Sequence, residues 1–110
     1  MQTAVGRETV MQVKLIMTWD IKSGQDQEYF EFVVREFVPG ITRLGLRPTQ
    51  AWFTVYGSAP QIMLEGIMDD FTTMKEMTES KEWLALHEKL EAFVTNYKQK
   101  IVRLSPRIQF

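Results

Sequence analysis

Residues 46–69 read LRPTQAWFTVYGSAPQIMLEGIMD. Two runs rich in strand-forming residues, Leu46 to Tyr56 and Gln61 to Asp69, flank Ser58-Ala59-Pro60, which is the pattern of a β-hairpin. With Ser58 and Ala59 at the tip, Phe53 faces Leu64, Val55 faces Ile62, Trp52 faces Glu65 and Thr54 faces Met63. One side of the hairpin (Ala51, Phe53, Val55, Ile62, Leu64, Gly66, Met68) is then wholly apolar. A slip by one residue mixes the two sides, which a half-buried sheet resists. The other side carries Gln50, Trp52, Thr54, Tyr56, Met63, Glu65 and Ile67.

Upstream of the hairpin, Phe30, Val33, Val34, Phe37, Ile41 and Leu44 recur at steps of three and four, the apolar stripe of an amphipathic helix. Ser23 with Asp26 resembles a capping box at its start, and Pro39-Gly40 is expected to end or kink it near Val38. Further back, Met11, Val13, Leu15, Met17 and Trp19 alternate with Gln12, Lys14, Ile16, Thr18 and Asp20, which marks a first strand from Val10. Downstream, Asp70 is placed to cap a short helix from Phe71 to Met77. Ser80 is placed to cap a longer one from Lys81 to about Asn96, with Trp83, Leu86, Leu90, Phe93 and Val94 as its buried stripe. Residues 97–104, YKQKIVRL, read as a last strand, with continuation of the helix through Lys100 as the alternative.

The 110 residues suit a single domain over 10–110 preceded by an N-terminal arm, 1–9. Thirteen Lys and Arg against fourteen Asp and Glu leave a net charge of −1, without the basic footprint that nucleic-acid binding needs. The absence of cysteine excludes disulfides, thiolate metal sites and a cysteine nucleophile, and the single histidine, His87, leaves little room for a His-rich metal site within one chain. No apolar run approaches the ~20 residues of a membrane span, so a cytoplasmic protein without membrane contact is expected.

The order β-α-β-β-α-β is that of an α+β, ferredoxin-like sandwich: a four-stranded antiparallel sheet, ordered 4-1-3-2, with both helices on one face. The uncovered face would show Ile16, Trp52, Tyr56, Met63 and Ile67, an apolar area large for a monomer surface. A twofold homodimer through that open face is therefore expected.

This architecture, together with Asp69-Asp70-Phe71 and Ser80-Lys81-Glu82-Trp83-Leu84-Ala85-Leu86-His87, resembles the dimeric α/β-barrel superfamily, which includes antibiotic-biosynthesis monooxygenases, NIPSNAP-like and EthD-like proteins. The resemblance spans about residues 10–104. It implies a dimeric barrel and a small-molecule ligand. It also implies, as one outcome, a cofactor-independent monooxygenase- or isomerase-like enzyme acting on an apolar or aromatic substrate. A non-catalytic dimeric binding or interaction domain is the rival. The Ser80, Trp83, His87 spacing is similar to the haem-binding helix of haem-degrading members, where the histidine is the axial ligand. Their strand asparagine and tryptophan are replaced here by Met17 and Met68. No cofactor is expected, with haem on His87 as the minor alternative.

Two groups of residues could carry chemistry. His87 lies on the apolar stripe four residues after Trp83, as either a satisfied core residue or a proton carrier and ligand contact facing a pocket. On the open face, Lys14 and Thr18 are placed to approach Glu65 across the strands. A carboxylate walled by Trp52 and Met63 is a usable general acid or base unless Lys14 pairs with it, in which case it is an interface ion pair. His87 and Glu65 are thus the candidate catalytic residues. Trp83, Tyr29, Trp52, Tyr56, Lys14 and Thr18 are the candidate ligand contacts. Asp69-Asp70 reads as a helix cap in preference to a metal carboxylate pair.

Overall fold

A computed structural model of the chain describes residues 11–54 and 61–104. Tyr56, the expected hairpin tip at Ser58-Ala59 and the arm 1–9 lie outside the described residues. Strand β1 (Val13–Ile21) follows its alternation closely: Val13, Leu15, Met17, Trp19 and Ile21 are buried and the residues between them half-buried. It pairs antiparallel with β3 (Ile62–Met68) on one side and with β4 (Val94–Arg103) on the other. β2 (Arg47–Phe53) completes the sheet in the order β2-β3-β1-β4, the expected order read from the opposite edge.

The hairpin buries its expected side on β3, where Ile62, Leu64, Gly66 and Met68 are buried, but β2 is exposed along its length and the register is not the expected one. Ala51 pairs with Leu64, Trp52 with Met63 and Phe53 with Ile62, each two residues from the expected partner, and a bulge follows between Pro48 and Gln50. A shift of two preserves the period-two segregation of side chains, so burial patterning cannot tell the two registers apart. Glycine at 66 has a packing reason: a Cβ there would stand 2.6 Å from the Cγ of buried Leu46.

The first helical segment starts later and runs further than expected. A turn closed by the Gln25 N–H to the Lys22 carbonyl, with Gly24 at φ +80°, precedes α1 (Asp26–Phe32), and its N-cap is Gln25, so the Ser23 capping box does not form. Pro39 does not end the helix. The chain widens into a π-helical segment (Val33–Phe37), in which the Val38 N–H donates to the Val33 carbonyl, and continues as α2 (Val38–Arg43). A proline lacks the N–H for an i−4 bond and presses on that carbonyl, and one wider turn relieves both conflicts.

After β3, Asp70 caps α3 (Phe71–Thr78), accepting from the Thr73 N–H at 2.8 Å, and Ser80 caps α4 (Lys81–Leu90), accepting from the Trp83 N–H at 3.2 Å. Helix α4 stops at Leu90 instead of near Asn96, because residues from Val94 onward exchange helical hydrogen bonds for a ladder along β1. The last strand therefore starts three residues before Tyr97. Its ladder shifts opposite Thr18 and Asp20, where Asn96 takes a left-handed φ of 58° and its side-chain amide donates to Asp20 Oδ2 at 2.9 Å. Such bulges re-aim a side chain, and here the residue that follows is Tyr97. No helix among the described residues is long and apolar enough to cross a membrane.

Candidate functional site

Between α1 and the β2–β3 side of the sheet lies an apolar cavity of about 230 Å³, lined by Trp19, Tyr29, Phe30, Val33, Val38, Ala51, Trp52, Phe53, Ile62 and Leu64. Each contributor is placed by its element. Trp19 is the penultimate core-facing residue of β1, Tyr29 and Phe30 come from α1, Val33 from the π turn and Val38 from the start of α2. Phe30 and Phe53, about half exposed at 45% and 53%, meet at 6.4 Å between ring centres and form an aromatic rim. The lining holds no charged side chain. At its inner wall the Trp19 indole N–H donates to the Tyr29 hydroxyl at 2.9 Å, and both residues are essentially fully buried. Loss of hydration pushes the Tyr29 phenol up to about 12, opposed by the smaller effect of the Trp19 hydrogen bond.

His87 sits behind that wall. Its ring lies 4.0 Å from the Trp83 ring and is met edge-on by Phe37 at 5.2 Å and Tyr97 at 5.1 Å. Nδ1 is 3.0 Å from the Trp83 carbonyl and Nε2 is 2.9 Å from the Tyr97 hydroxyl, which also lies 2.6 Å from Gln99 Oε1. A carbonyl only accepts, so Nδ1 carries a proton. In the neutral imidazole Nε2 then takes the single Tyr97 proton, and the Gln99 amide satisfies the phenol oxygen by turning its NH₂ inward. In the imidazolium both nitrogens donate and the Tyr97 proton passes to Gln99. Burial holds His87 below its ordinary value, with the Trp83 carbonyl acting weakly in the other direction, and burial likewise raises Tyr97. Tyr97 in turn stacks on Trp19, with centroids 5.8 Å apart and planes 11° from parallel. A continuous run of contacts thus joins His87, Tyr97, Trp19 and Tyr29, but His87 itself does not line the cavity.

The open face holds the other candidates. Ile16 pairs opposite Glu65 and Thr18 opposite Met63. Lys14 Nζ stands 3.4 Å from Glu65 Oε1, with the Glu65 side chain 10% exposed and that of Lys14 31%. Beside them a shallow hollow of about 520 Å³ is floored by Ile16, Thr18 and Met63 and edged by Lys98 and Lys100. Among the described residues no three His, Asp or Glu side chains converge to hold a metal ion.

These features are mounted on a known scaffold. The fold is ferredoxin-like. No family model matches the chain, and no curated protein matches it in sequence. Solved structures do. An ethyl tert-butyl ether d (EthD) family protein from Bacillus halodurans C-125 is 21% identical, with a TM-score of 0.69 over 86% of this chain and 100% of that one. A NIPSNAP family protein from Agrobacterium tumefaciens C58 is 20% identical, with a TM-score of 0.65 over 86% of each chain. A dimeric protein of unknown function from Bacteroides fragilis NCTC 9343 is 17% identical, with a TM-score of 0.61 over 84% of this chain and 96% of that one. Two of the groups named by the sequence resemblance, the NIPSNAP-like and EthD-like proteins, are thus among those whose fold this chain shares.

The expected site residues therefore fall in three places. Tyr29 and Trp52 line the cavity, His87 and Trp83 form a packed pair behind it, and Lys14, Thr18 and Glu65 lie on the open face. His87 does not fit the haem-ligand alternative: Nε2 is held by Tyr97, and three aromatic rings occupy the space a macrocycle would need. Trp19, Phe30, Val33, Phe53 and Tyr97 were not singled out as site residues. Trp19 reads simply as a core position on β1, and its bond to Tyr29 joins residues on different elements that no periodicity connects.

Proposed function

We propose that this protein binds a small apolar or aromatic molecule in the cavity between α1 and the β2–β3 edge, and that it acts as a homodimer closed through the open sheet face. The supporting observation is the cavity itself: an apolar, partly enclosed space with two aromatic rings at its mouth and one hydrogen-bonded pair at its inner wall. A dry cavity of ~150 Å³ already takes up benzene, so about 230 Å³ suits one or two fused rings. The lining offers no carboxylate, imidazole or ammonium group to act on a bound molecule, which favours binding over a turnover that depends on His87 or Glu65. The half-buried Ile16, Met63 and Ile67 on the uncovered face support the dimer, as does the dimeric Bacteroides structure of similar fold.

Naphthalene titration followed by tryptophan fluorescence tests the binding site, because Trp19 and Trp52 form part of its wall. Saturable quenching is expected in the native protein. Val33→Phe, which fills the cavity from the π turn, is expected to weaken it more than tenfold while far-UV circular dichroism is retained. No response up to the solubility limit, or equal binding by Val33→Phe, would refute the proposal.

A further inference from the structure

The open face of the sheet carries more positive charge than its own acids neutralise. Residues paired across strands share a face of the sheet, so Lys98 and Lys100, which pair with Thr18 and Ile16, stand on the uncovered side with them. The two lysines are next neighbours on that face of β4, roughly 7 Å apart along the strand. Both edge the hollow floored by Ile16, Thr18 and Met63. Among the described residues neither makes an ion pair. Glu65, in the same row across Ile16, is taken by Lys14, and Asp69 is taken by Arg47. The chain as a whole has a net charge of −1, so the excess is local. Ile16 lies on β1 and Met63 on β3, the two central strands, and a second copy laid on the open face therefore covers the hollow. Covering it takes Lys98 and Lys100 out of water, and desolvated charge without a counter-charge opposes association. An anion in the hollow supplies the counter-charge, and the apolar floor selects one with an apolar body.

Resting on the dimer proposed above, we infer that the open-face hollow is a second ligand site, which takes a monocarboxylate with a short aliphatic body between the two copies. Lys98 and Lys100 hold the carboxylate, and Ile16 and Met63 receive the chain. A wholly hydrophilic anion leaves that floor unused, and a neutral chain leaves the lysines unpaired. The second copy completes the site, so ligand and dimer stabilise one another. The site is separate from the cavity beside α1, whose lining has no charged side chain.

Sedimentation equilibrium tests this on the native protein and on the double variant Lys98→Gln/Lys100→Gln, each with octanoate, 1-octanol or acetate. Octanoate is expected to tighten the native dimer about tenfold, within the usual range of coupling between sites, and 1-octanol and acetate are expected not to. Without ligand the variant is expected to dimerise more tightly than the native protein, having no lysine charge to desolvate, and not to respond to octanoate. Val33→Phe, which fills the cavity beside α1, is expected to keep the full octanoate effect. A native dimer indifferent to octanoate, or a double variant that responds as the native protein does, overturns the inference and leaves the dimer standing. Loss of the effect in Val33→Phe assigns octanoate to the other cavity and likewise overturns it. A native protein that stays monomeric with and without octanoate removes the dimer and the inference together. Methyl NMR of the native protein keeps binding decidable should the variant misfold: the Met63 signal, assigned through Met63→Leu, is expected to move with octanoate and not with acetate, and an unmoved signal overturns the inference.

Discussion

At the scale of single residues, His87 is held from every side by its neighbours. Both of its ring nitrogens are engaged, one by a backbone carbonyl and one by the Tyr97 phenol, and aromatic rings pack three sides of it. Its position on the helical stripe was legible in the sequence; its partner was not, because Tyr97 reaches it only through the bulge at Asn96. The pH dependence follows from burial. His87 is held below its ordinary value of 6.5, so above that pH the imidazole is neutral in both folded and unfolded chains. As the pH falls below 6.5 the unfolded chain takes up the proton first. Stability is thus present at neutral pH and lost on descent through the folded-state value. Urea unfolding midpoints measured from pH 8 to 5 should fall in the native protein and fall less in His87→Phe, which keeps the ring packing and frees the Tyr97 proton for Gln99. Superimposable profiles would mean that His87 does not titrate differently on folding.

At the scale of elements, the π turn and the two packed glycines show where local rules gave way to packing. An end or a kink was expected near Val38 at Pro39-Gly40; the helix does not end there but absorbs the proline with one wide turn, whose Val33 lines the cavity. Gly40 is retained inside the helix because a Cβ there would stand 2.6 Å from Leu86 Cδ1, whereas at Gly66 the same distance is to Leu46 Cγ, nearer the backbone of a fully buried residue. Leu86 can swing its terminal methyls aside, and Leu46 cannot. Gly66→Ala is therefore expected to destabilise by about 1–3 kcal/mol, the usual cost of overpacking. Gly40→Ala should stay within about 1 kcal/mol of the native protein, since alanine's gain in helix propensity offsets the shift of Leu86. Chemical denaturation of the two variants checks the ordering, and a milder effect at Gly66 would contradict it.

At the scale of the whole molecule, three helical segments cover one face of the sheet and leave Ile16, Met63 and Ile67 half-buried on the other, with the Lys14–Glu65 pair among them. The proposed dimer covers that face, and Ile16→Glu places a charge at its centre on β1. Sedimentation or native mass spectrometry is expected to show a dimer for the native protein and a shift to monomer for Ile16→Glu, because an unpaired buried charge costs several kcal/mol. A native monomer, or a dimer indifferent to the substitution, would remove the open face as the interface. The strand and helix types, the inward faces of β1 and β3, both downstream helix caps and so the ferredoxin-like order were legible in the sequence alone. Each of these depends on neighbours a few residues apart, where side-chain periodicity and capping act. Only the tertiary structure decided the hairpin register, the passage of the helix through Pro39, the bulge that aims Tyr97 and the gathering of Trp19, Tyr29, Phe30 and Phe53 around one cavity. Those depend on contacts between residues distant in the chain, whose free energy belongs to the packed assembly and has no local signature.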